Sequence, residues 1–86
     1  MVDDVETHEK TIALVLSGKI RCKEEAGELS DREREYAKLA CYSHLQKHRN
    51  DLLPTLCRLK NLLPRSFHDE IRTMAQNIFD VEWERA

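Results

Sequence analysis

Eighty-six residues with a formal net charge of −2 make one domain, residues 1–86, with no room for a second core. Two glycines, two prolines and five aromatic residues are too few for a turn-rich β fold, and 41% hydrophobic content beside 35% charged excludes a disordered chain. No apolar run nears the roughly 20 residues that span a bilayer, so no membrane role is expected.

The first predicted helix opens at Asp3 or Asp4, whose carboxylates suit the positive end of a helix dipole. Val5, Ile12, Leu16 and Ile20 recur on one side, and "TIALVL" is apolar nearly all round, which places this helix deep in the structure. Gly27 is a terminator; residues 19–27 read either as the helix tail or as a separate turn. The second helix has the clearest start, a capping box of Ser30 and Glu33, and runs from Asp31 to about His48. Its buried flank is Ala37, Ala40, Cys41, His44, Leu45 and His48, with Tyr36 and Leu39 to the other side.

Asn50 or Asp51 caps a third helix that tolerates Pro54 in its opening turn and stops at Pro64. Leu52, Leu56, Leu59 and Leu63 form its seam. Ser66 opens the fourth helix with Asp69 in the capping-box position, and Phe67, Ile71, Met74, Ile78 and Val81 form a core stripe running close to the C-terminus. The expected fold is all-α, a compact bundle of about four helices, mostly antiparallel.

Net charge hides a segregation. Residues 1–35 carry six Lys/Arg against ten Asp/Glu, residues 36–65 six against one, and residues 66–86 two against five. Acidic helices packed beside a basic one explain this most simply; a basic patch facing an acidic partner is the functional reading.

In "LACYSHLQKHRNDLLPTLC", Cys41, His44 and His48 share one helical flank and Cys57 follows on the next helix, a set of residue types that zinc accepts. Paired short-spaced ligands are absent, however, and leucine seams already supply a core, so these residues read as core and no metal or cofactor is expected. A Cys41–His44 pair without an oxyanion loop and a lone His68–Asp69 pair do not make an active site, and no enzyme is expected. Three cysteines cannot all pair within one chain, and the acidic "MVDDVETHEK" lacks an apolar signal region, which points to free thiols in the cytoplasm.

Surplus apolar surface is the remaining signal. Ala75, Phe79 and Trp83 form a second row at offsets of four, and Leu53, Leu62 and Tyr42 flank the other seams. Aromatics left outside a core are favoured interface anchors. The expectation is a protein-binding, self-associating module, a homodimer or higher, that modulates a larger cytosolic partner. Phe79, Trp83 and Tyr42 would be its anchors, with Arg49, Arg58 and Arg65 steering an acidic surface. On that expectation Trp83→Ala weakens association and leaves the helices intact. The alternative is a nucleic-acid or phosphate ligand held by Lys47, Arg58, Lys60 and Arg65, with binding that falls steeply with salt.

Overall fold

The computed structural model describes the backbone of residues 4–85 and the side chains of residues 9–85. It is an all-α bundle, and the described residues form five α-helices: α1 (Asp4–Leu16), α2 (Lys19–Ala26), α3 (Asp31–Lys47), α4 (Leu52–Leu62) and α5 (His68–Ile78). Three 3₁₀ turns, Arg49–Asp51, Arg65–Phe67 and Trp83–Arg85, complete it. The radius of gyration is 12.3 Å, close to the ~12 Å of a compact chain this long. The Asp3/Asp4 cap and the Val5 side chain lie outside what is described.

Five helices replace the expected four because Gly18 divides the first. Its φ of 84° is left-handed, which a glycine adopts without strain, and the chain restarts as α2 from that point. Gly27, at φ 73°, closes α2: its amide donates to the Glu24 carbonyl and the next amide to that of Lys23, the two bonds of a Schellman motif. α3 opens on the predicted capping box, with the Glu33 amide donating to Ser30 Oγ and the Ser30 amide to Glu33 Oε1, both at 3.2 Å.

α4 starts differently from expectation. Neither Asn50 nor Asp51 caps it with a side chain; the Arg49–Asp51 turn leads straight into it. It ends as expected, because Leu63 takes an extended conformation ahead of Pro64. The second predicted capping box does not form. Phe67, with no side-chain cap, precedes α5, while Ser66 Oγ donates to Glu24 Oε1 at 2.6 Å and Asp69 pairs with Arg72. Arg34 sets up the Ser66–Glu24 contact by holding the Glu24 carboxylate at 3.0 Å while donating to the Ser66 carbonyl, which brings the two together.

The core is one cluster. Val15 and Ile20 meet Ala37, Cys41 and Leu45 of α3, the seam Leu56, Leu59 and Leu63, and Phe67, Ile71 and Ala75 around α5. Leu52 is half-buried at the end of its seam. α1 packs chiefly on α3, and α3 also packs on α5. Arg34 links three elements: it pairs with Glu24 of α2, donates to the Ser66 carbonyl at 2.7 Å and lies 4.5 Å from the centre of the Phe67 ring.

α5 stops at Ile78, a full turn earlier than the stripe predicted. Asp80 adopts φ 56°, and the amides of Phe79 and Val81 both bond to the Ala75 carbonyl, so the chain reverses instead of continuing. Two expectations fall with this turn. Ile78, predicted in the core stripe, is 51% exposed, and Trp83 leaves the helical row of Ala75 and Phe79.

Candidate functional site

Trp83, a predicted anchor, is 3% exposed and belongs to the core. The Trp83–Arg85 turn folds its indole edge-on to His68, with ring centres 5.4 Å apart, and the Lys60 amine lies 5.4 Å over the ring while donating to the Trp83 carbonyl at 3.3 Å. The predicted exposure rested on an unbroken helix to the chain end, and the reversal at Asp80 removes that premise. Tyr42 and Phe79 do come together, with ring centres 5.9 Å apart, and both are half-buried. Gln46 Nε2 donates to the Tyr42 hydroxyl at 2.7 Å and fixes the ring's outer edge. Arg49 is exposed on its own turn and does not line the groove that Tyr42 enters.

That groove lies between α3 and α5 and has a volume of about 550 Å³. Leu39, Tyr42 and Met74 supply its apolar lining; Glu35, Lys38, Asp69, Glu70 and Thr73 supply the rest. Leu39 is 42% exposed, and Ile78 stands one turn beyond Met74, extending the apolar strip. Three of the four rim charges are carboxylates. Glu35 pairs with Lys38 at 3.1 Å and Asp69 with Arg72 at 3.3 Å. Glu70 differs: its Oε2 is buried and finds no hydrogen-bond donor among the described residues.

The predicted cationic patch is divided by helix geometry. Arg58 and Lys60 are two residues apart on α4 and so face different ways. Arg58 donates to Thr55 Oγ1 at 3.2 Å and, with Lys47, stands near His44. Lys60 and Arg65 instead line a separate cleft of about 620 Å³ with Arg21, His68, Glu24 and Glu25. Arg21 and Glu24 in that cleft are already paired, to Glu25 at 3.3 Å and to Arg34 at 3.0 Å.

The Cys41, His44, His48 and Cys57 set is likewise dispersed. Cys41 is 1% exposed, and burial pushes its thiol up to about 12, so it stays protonated. Cys57 points to solvent from α4. His44 and His48 are in ring contact at 4.5 Å, and His44 also borders a small apolar gap with Ile12, Leu16 and Leu59. Burial, then the charges of His48, Arg58 and Lys47, hold the His44 imidazole below its ordinary value. No group of three or more His, Cys, Asp or Glu side chains is arranged to hold a metal among the described residues. No helix among them is long and apolar enough to cross a membrane.

The chain matches no protein-family model, no curated protein and no solved structure. Its functional reading therefore rests on geometry. Of the residues that form the α3–α5 groove, only Tyr42 was marked as a site by sequence. Leu39 carried a usable signal, a large apolar residue off the buried flank of its helix. Met74 did not, because its spacing on α5 is that of a core residue.

Proposed function

We propose that this chain is a protein-binding helical module whose docking surface is the α3–α5 groove. The observation that carries the reading is the company of Leu39, Tyr42 and Met74 in one open groove, with Ile78 exposed beside it. A small bundle buries only about 60–65% of its unfolded surface, and apolar side chains grouped in a groove are favoured binding positions. A helix laid along such a groove places residues at i, i+3 or i+4, and i+7 into it. Met74 adds an unbranched side chain that adapts to a partner's shape.

The module acts by occupying a larger macromolecule in a reducing compartment. Three unpaired cysteines, one of them deep in the core, support that setting. Self-association through the same face is the second form of the reading; the exposed Leu39 and Ile78 are the side chains it would bury.

The test is a selection of helical peptides from a display library on the folded full chain and on Leu39→Asp. Leu39 is 42% exposed, so the variant keeps the fold. Enrichment on the wild type that disappears on Leu39→Asp is expected. Enrichment that is indifferent to the substitution would place binding elsewhere.

A further inference from the structure

We infer that the partner of the α3–α5 groove is a basic amphipathic helix, with its apolar face against Leu39, Tyr42 and Met74 and a lysine or arginine set against Glu70. The inference rests on the groove being a protein-binding surface.

Charge is the first ground. Glu35, Asp69 and Glu70 outnumber Lys38 on the groove's rim, although the chain as a whole is near neutrality. Glu35 and Asp69 are held by short-range pairs whose carboxylates are 62% and 89% exposed. Water screens such pairs, and an incoming cation exchanges with them at little cost.

The second ground is the hydrogen bonding of Glu70 itself. Its Oε2 is shielded from solvent yet has no donor among the described residues. A carboxylate oxygen removed from water without a hydrogen bond is unfavourable, and the described residues leave this one unsatisfied. Rotation of the half-buried Glu70 side chain into the groove would bring its carboxylate to an incoming ammonium or guanidinium and supply the missing charge-assisted hydrogen bond. The apolar floor beside it selects a cation carried on an amphipathic scaffold over a free ion.

Two other occupants fit less well. Nucleic acid would meet the rim carboxylates with phosphates. A second copy paired about a two-fold axis would bring Glu35, Asp69 and Glu70 toward the same residues of its mate, since such an interface uses one patch twice. Head-to-tail pairing, with the exposed Leu53 of α4 entering the groove of another copy, is the competing outcome.

The probe is a display library of four-turn helices with apolar residues fixed along one face and the flanking positions drawn equally from Lys, Glu and Gln. It is panned against the full chain, Glu70→Gln and Leu39→Asp. On the wild type at low salt, Lys should be enriched over Glu roughly tenfold at one flanking position, as a single charge-assisted contact provides. Parity is expected at that position on Glu70→Gln, and loss of all enrichment on Leu39→Asp.

Enrichment that is blind to charge yet lost on Leu39→Asp would overturn the basic partner and leave the groove intact as a docking surface. Enrichment indifferent to Leu39→Asp, or none on any form, would overturn both. A dimer in native mass spectrometry that is lost in Leu39→Asp and in Leu53→Asp would assign the groove to a second copy and overturn a foreign partner.

Discussion

Trp83 and His44 show how single side chains decide between core and surface. Trp83 is held by His68 below and Lys60 above, so Trp83→Ala should cost about 3–5 kcal/mol by opening a cavity. Urea denaturation followed by far-ultraviolet circular dichroism measures that loss. An unchanged midpoint would mean that the Trp83–Arg85 turn does not pack as described. For His44, burial lowers the imidazole pKa in the folded state, so the unfolded chain binds a proton first as pH falls. Stability is therefore full above the ordinary imidazole value of about 6.5 and declines as pH falls through it toward the folded value. Urea midpoints between pH 7.5 and 5 should show this decline, and His44→Gln should flatten it. Glu24 and Glu33 act in a lower window: the Ser66 hydroxyl and the Lys23 amine respectively are the main causes that hold them below the usual carboxylate value, and the stability they confer is lost only as they protonate.

At the scale of elements, the glycines and the helix stops carry the argument. An added Cβ at Gly27 would meet nothing within 4 Å, so the cost of Gly27→Ala is that of a left-handed backbone alone, about 1–2 kcal/mol. Gly18→Ala should cost a similar amount at φ 84°, and differential scanning calorimetry of the two variants tests both. Much at this scale was legible in the sequence: the Ser30–Glu33 box, the Pro64 stop, the Gly27 terminator and the leucine seam all act locally, through residues a few positions apart. What was not legible depends on contacts distant in sequence. Ser66 could not be seen to prefer Glu24, because that choice needs α2 and α3 already docked with Arg34 between them. The end of α5 was hidden for a different reason. Its apolar spacing continues through Val81 and Trp83 without a glycine or proline, and only Asp80, a residue that tolerates the left-handed region, breaks it.

For the whole molecule, the same reversal reallocates the apolar surface. Taking Trp83 inward completes the core, and the apolar residues left outside include Leu39 and Ile78 of the strip between α3 and α5. The sequence indicated a surplus of apolar side chains, the Ala75, Phe79 and Trp83 row with Leu53, Leu62 and Tyr42 on the other helices; the fold draws Trp83 inward and leaves a groove between α3 and α5 with an acidic rim. Leu39→Asp should therefore change urea stability by less than about 1 kcal/mol, as surface substitutions do, while Ile71→Asp in the core should abolish folding. The most direct measurement of the central claim is backbone amide chemical-shift mapping of the isotope-labelled full chain, titrated with the tightest helical peptide from the selection. Changes centred on Leu39, Tyr42, Met74 and Ile78 are predicted. Changes centred on Lys47 and Arg58, or on Lys60 and Arg65, would contradict it and return the function to the basic residues on and beside α4.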